Sequence, residues 1–126
     1  ALLKSKGFKT ARIIGSMTGT VAGQTNYMWS NVAGNPNSLD WMRLPCRSLG
    51  STDTAATALT DIRNAIKFQN NIIVCVHNLI STTAATRDFD LEEWRDLLAA
   101  LKIHERQGQI QVKKMSTFYN ESVDKT

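Results

Sequence analysis

NNIIVCVHNLI, residues 70–80, is the stretch whose reading decides the fold. Ile72 to Val76 form an uninterrupted apolar run, and all but Cys75 are β-branched. A strand without polar alternation is covered on both faces, as parallel strands sandwiched between layers are. His77 closes the run at its C-terminal end, the edge at which parallel α/β sheets and barrels gather ligands. An imidazole there is suited to general acid or base work, and equally suited to a plain hydrogen bond with a loop carbonyl.

Working outward, Ser51 or Thr52 caps a helix from Asp53 to Gln69, because Ala56, Leu59, Ile62, Ala65 and Ile66 fall on one face and Asp53 sits in the first turn. Asn70 and Asn71 turn the chain into the apolar strand. A polar loop, Ser81 to Asp88, leads to a second helix, Asp90 to Gln107, with Leu91, Trp94, Leu97, Leu98 and Leu101 as its buried stripe and Gly108 as its stop. QIQVKKM, residues 109–115, alternates like a strand, and Ser116 caps a short helix from Thr117 to Glu121.

On the other side, Ala1 to Lys6 reads as the last turn of a helix with Gly7 as its cap, and Phe8 to Ile14 as a strand, so the chain starts in mid-fold. Residues 16–39 form a long loop rich in Gly, Ser, Thr and Asn, and Trp41 to Leu49 a short edge strand around Pro45. The order predicts an α/β fold with about four mostly parallel strands and covering helices, a partial (β/α) barrel.

The 126 residues suffice for one domain, and 42% hydrophobic with 21% charged residues is a globular balance. No apolar stretch approaches the roughly 18 residues of a membrane span, and no apolar core of a signal peptide follows the basic N-terminal residues. The net charge of +4 is scattered, with Lys113-Lys114 the adjacent pair and no aromatic residues interleaved, which speaks against nucleic acid as a partner. Cys46 and Cys75 lie in apolar, strand-like segments and read as small buried thiols rather than a disulfide. His104 sits between charged helix residues and reads as solvated. There is no P-loop, Cys-x-x-Cys or Gly-x-Ser-x-Gly.

The segments GFKTARIIG, ALTDIRNAIKFQ, IIVCVHNL and FDLEEWRDLLAALKIHERQGQIQVKKMSTFYN, spread from Gly7 to Asn120, resemble the C-terminal half of the NodB-homology polysaccharide deacetylases, carbohydrate esterase family 4. The resemblance implies a metal-dependent carbohydrate N-deacetylase of which residues 1–126 are a single fragment, acting on a polysaccharide or glycan at a cell or virion surface or outside the cell. In it His77 would be the general acid, and Ile73 and Cys75 would line the acetyl-methyl pocket, a Cys replacing the usual leucine. Arg12 would orient the catalytic base, although RIIG lacks the proline and aromatic residue that follow in the family. Asp40 would tune the acid histidine and Trp41 wall the groove, although this pair precedes a strand rather than following one.

The divalent metal of the family, zinc above all, would be held by an aspartate and two histidines in a missing N-terminal half, so the chain alone is expected to be inactive. Its own histidines are His77 and His104, with no His-x-x-x-His pair. Blander readings stand beside these: Arg12 as an edge-strand arginine, Trp41 as core, Asp40 as a turn residue. The competing function is a non-catalytic carbohydrate-binding module or a surface or tail structural protein on the same scaffold, with Asn26, Tyr27 and Trp29 of the long loop facing the sugar.

Overall fold

The computed structural model describes residues 2–12, 28–29 and 44–123. Their elements, in chain order, are α1 (Leu2–Ser5), β1 (Met28–Trp29), β2 (Arg47–Leu49), α2 (Ala55–Lys67), β3 (Asn71–Ile72), β4 (Val74–Val76), β5 (Asn78–Ile80), β6 (Asp88–Asp90), α3 (Leu91–Arg106) and α4 (Met115–Val123).

The apolar run divides: Val74–Val76 pair in parallel as expected, Ile72 belongs to β3, antiparallel to β1, and all five residues are half-buried rather than covered on both faces. β4 lies parallel to β2, with Arg47 opposite Val74, Ser48 opposite Cys75 and Leu49 opposite Val76. Arg12 extends this arrangement through a parallel bridge to Leu44. Alternation along the strands sends Leu49, Val74 and Val76 to one face, where they pack with Ala58, Leu59 and Ile62 of α2, Leu97 of α3 and Phe89 of β6. Leu49, Phe89 and Leu97 are fully buried. Cys46, Ser48, Ile73 and Cys75 belong by the same alternation to the opposite face.

The fold is α/β, with two small parallel sheets, β2–β4 and β5–β6, packed against helices. The expected partial barrel is not found: among the described residues the strands form three separate pairs, the third being the antiparallel pair β1–β3. A barrel requires each strand to carry a ladder on both sides. The predicted strand at 109–115 forms none, because its alternating apolar residues have no face to cover; Val112 is 70% exposed.

Two capping devices differ from expectation in an informative way. α2 is capped by Thr54 rather than Ser51 or Thr52: Thr57 N–H donates to the Thr54 hydroxyl at 3.2 Å, and Thr54 N–H donates to the Thr57 hydroxyl at 2.9 Å. Glu93 of α3 accepts from Ala55 N–H at 2.6 Å and so ties the first turn of α2 to its neighbour. α3 is capped by Asp90, which accepts from Glu92 and Glu93 N–H. Its buried stripe is narrower than predicted, since Leu97 is enclosed, Trp94 and Leu101 are half-buried, and Leu98 is exposed.

Asp53, expected in the first turn, precedes α2, which starts at Ala55, and its carboxylate is held by Arg47. Arg47 Nη2 donates to Asp53 Oδ1 at 2.5 Å and Nε to Asp61 Oδ2 at 2.7 Å, joining β2, the 50–54 turn and α2. Burial opposes the Arg47 charge, and the two carboxylates more than offset this, so its pKa stands above the ordinary guanidinium value. The turn then meets the loop 81–87. Ser51 N–H donates to Thr86 O at 3.1 Å, and a Cβ on Gly50 would lie 2.5 Å from the same oxygen.

Two outcomes follow. Gly50→Ala should destabilise the fold by about 1–3 kcal/mol, because backbone has to shift to admit the methyl group. Arg47→Met should cost about 2–4 kcal/mol, because it strands two partly buried carboxylates. Chemical denaturation reads both, and wild-type midpoints would contradict the described contacts.

Candidate functional site

The C-terminal ends of the parallel strands carry an exposed polar edge. His77 follows β4 at a bend, and Asn78 begins β5; both are exposed. β5 runs parallel to β6, with Asn78 opposite Asp88, Leu79 opposite Phe89 and Ile80 opposite Asp90. Parallel neighbours usually need a crossover of about a dozen residues. The shorter loop 81–87 manages the reversal because Asp88 organises it from within.

Asp88 is buried and fully employed. Its Oδ2 accepts from Ala85 N–H at 2.9 Å and Ala84 N–H at 3.1 Å, and its Oδ1 accepts from Asn78 Nδ2 at 3.2 Å. The Ala85 and Ala84 N–H groups, helped by Asn78 and opposed by burial, hold the Asp88 carboxyl below the usual carboxylate range. The carboxamide of Asn78 is thereby fixed beside His77, while Ser81 and Thr82 stay exposed on the loop that Asp88 closes.

Arg12, Cys46 and Cys75 meet elsewhere, on the sheet face turned away from the helices. Arg12 Nη1 donates to Cys46 Sγ at 2.8 Å. That bond, with the nearby Cys75 and Cys46 sulfurs, raises the Arg12 pKa. Burial and its hydrogen bond with Cys46 push the Cys75 thiol up to about 11, so Cys75 is an uncharged thiol at neutral pH. Cys46 and Cys75 are not joined in a disulfide. Ile73 is half-buried on this same face.

Arg12 is level with Leu44, and His77 follows Val76, which is level with Leu49. At ~3.3 Å per residue their backbones stand roughly 15–20 Å apart along the strands. The structure therefore brings Arg12 to the cysteines and leaves His77 with Asn78. Asp40 and Trp41 lie outside the described residues, as do Asn26 and Tyr27. Trp29 is 2% exposed and packs edge-on against Phe118, with ring centroids 6.4 Å apart, so it is core and not a sugar platform. His104 bonds Gln109 Oε1 through Nδ1 at 2.5 Å.

The metal expectation is overturned. Among the described residues no group of three His, Cys, Asp or Glu side chains can hold a metal ion. The reason lies in prior commitments: Asp53 and Asp61 bind Arg47, Asp88 binds backbone N–H groups, Asp90 and Glu93 cap helices, and the two histidines sit on separate elements. Zinc or another divalent cation has no donor set here. The reading as a metal-dependent N-deacetylase, with its metal-bound hydrolytic water, falls with it.

No family model, curated protein or solved structure matches the chain. The likeness to the deacetylases rests on the quoted segments alone. Among the described residues no helix is long and apolar enough to cross a membrane. A cleft of about 720 Å³, lined by Trp29, Ile66, Asn70, Ile72, Ile110 and Phe118, opens at the N-terminal end of β4, away from His77.

Sequence reasoning missed Asn78 and Asp88. The available signal was the DFD triplet, two aspartates bracketing one large apolar residue, which fits neither a loop nor the first turn of a helix.

The carboxylates dictate an acid response. Burial pushes the Asp53 carboxyl up, and Arg47 with the Gly50 N–H carries it below its ordinary value; Asp88 is depressed as well. Below about pH 4 the unfolded chain takes up protons at these positions before the folded one does, so stability should fall as pH drops through that range. Asp88→Asn should flatten part of this slope. Melting temperatures measured from neutral pH downward test it, and a flat profile through pH 4 would contradict it.

Proposed function

We propose that the chain is a non-catalytic carbohydrate-recognition domain that binds a glycan at the C-terminal ends of its parallel strands, as part of an extracellular or surface-borne protein. The observation that carries this reading is the exposed His77-Asn78 edge, with Asn78 locked by Asp88. A fixed carboxamide, an imidazole and neighbouring hydroxyls supply donors and acceptors for sugar hydroxyls, and the half-exposed Leu79 offers apolar contact for a ring face.

In this role His77 donates or accepts a hydrogen bond rather than a catalytic proton. Enzymatic proton transfer would need a substrate atom or water held within hydrogen-bond reach of the imidazole. The carboxylates of the described residues that make hydrogen bonds at this end, Asp88 and Asp90, are engaged with backbone N–H groups.

Titration calorimetry with N-acetylated chito-oligosaccharides, paired with an acetate-release assay, tests the proposal. The expected result is heat of binding without acetate release, with affinity reduced about tenfold or more in Asn78→Ala, which removes a pre-oriented hydrogen-bonding group. Acetate release would replace the proposal with an enzyme. No affinity for these or other glycans would leave a purely structural surface or tail protein.

A further inference from the structure

We infer that the N-terminal turn is a docking element for an anionic lipid surface. α1 ends with two defined bonds: Phe8 N–H donates to Leu3 O at 3.1 Å, and Gly7 N–H donates to Lys4 O at 3.1 Å. Gly7 adopts φ 87°, a conformation that costs glycine little. This double bond pattern is the one in which the residue after the glycine comes to lie beside the residue five before it, here Phe8 beside Leu3. The apolar side chains so gathered stay open: Leu2 is 71% exposed, Leu3 45% and Phe8 57%.

The charged side chains nearest them in sequence are basic, while Phe8 and Lys9 also lie beside Met115, Ser116, Tyr119 and Asn120 of α4. Lys4, Lys6 and Lys9 are all exposed, and residues 1–39 contain four basic side chains and no acidic one. Apolar groups interleaved with lysines match a bilayer interface, where leucine and phenylalanine enter beneath the headgroups and ammonium groups meet phosphates and carboxylates. A second copy of the chain is the poorer occupant, because it would set lysine against lysine. Nucleic acid is poorer still, since the two leucines would have nothing to bury against on a phosphate backbone.

The fold also orients the docked molecule. Phe8 precedes the Arg12–Leu44 bridge, and the parallel direction of β2 and β4 carries the chain away from α1 toward His77. A bilayer at the α1 end leaves the His77-Asn78 edge facing outward. The inference does not depend on the glycan reading.

Co-sedimentation of the whole chain with vesicles is the test, comparing phosphatidylcholine alone with the same lipid containing about 30% phosphatidylserine. Each lysine near the surface is worth about a fivefold change in partition, so the anionic vesicles should bind on the order of a hundredfold better than neutral ones. The difference should vanish near 1 M salt, where screening acts within about 3 Å. Lys4→Glu combined with Lys9→Glu should abolish the preference, and Phe8→Ser should lower binding about tenfold, both with unchanged far-UV circular dichroism. Equal partition onto neutral and anionic vesicles would overturn the inference. So would variants that bind as the parent does, or a concentration-dependent dimer that disappears in Phe8→Ser.

Discussion

The Arg47 guanidinium, shared between Asp53 and Asp61, is the interaction from which the packing of β2, α2 and the strand ends is built outward. It joins β2 to α2 and fixes the 50–54 turn. That turn, through Gly50 and Ser51, meets Thr86 so closely that only a glycine fits. Thr86 belongs to the loop closed by Asp88, and Asp88 holds Asn78 beside His77. A partly buried ion pair of this kind adds little net stability compared with apolar packing. Its value lies in position, because the hydrophobic core of Leu49, Phe89 and Leu97 has no direction of its own and the charged contacts do.

The same economy of charge decides what the strand ends do. Metal hydrolysis needs several carboxylates and imidazoles with free lone pairs converging on one point. In this chain Asp53, Asp61, Asp88, Asp90 and Glu93 are spent on an arginine or on backbone N–H groups, and their geometry is that of caps and braces. What is left exposed at the C-terminal edge, His77 and Asn78 with Ser81 and Thr82, is hydrogen-bonding. Such a surface suits recognition of a polyhydroxylated ligand, while the lysine-bordered apolar turn at the other end suits attachment.

Helices α2 and α3 and the apolar strand were legible in the sequence because each has a strong period or a strong composition: Leu59, Ile62 and Ala65 recur on one helical face, although Ala56, read with them, is exposed and Ala58 takes its place in the core, and Ile72 to Val76 form an unbroken apolar run. Gly7 and Gly108 marked turns for the reason they occur, positive φ. The failures share one cause, namely that local pattern does not say what a segment will pack against. QIQVKKM alternates like a strand and pairs with nothing. Trp29 sat in a polar stretch that looked like a binding loop, and its indole is buried against Phe118, a contact between residues far apart in the chain. The DFD triplet was too short to register as a strand. His77 was placed at a strand end from composition alone, while the Asn78–Asp88 pair that shapes its surroundings depends on a loop conformation that periodicity does not encode.

The central claim is that the strand-end edge is held in place by the chain of contacts running from Arg47 through Gly50 and Thr86 to Asp88. Amide hydrogen exchange on Arg47→Met measures this directly at Ser51, Ala84, Ala85 and Asp88, whose N–H groups sit in those contacts. The account predicts that all four exchange much faster in the variant, while Leu97 and Ala100 in the middle of α3 lose protection only to the extent that global stability falls. Unchanged protection of Ala84 and Ala85 in a variant whose 50–54 turn has loosened would contradict it, and would show that Asp88 orders the edge without help from Arg47.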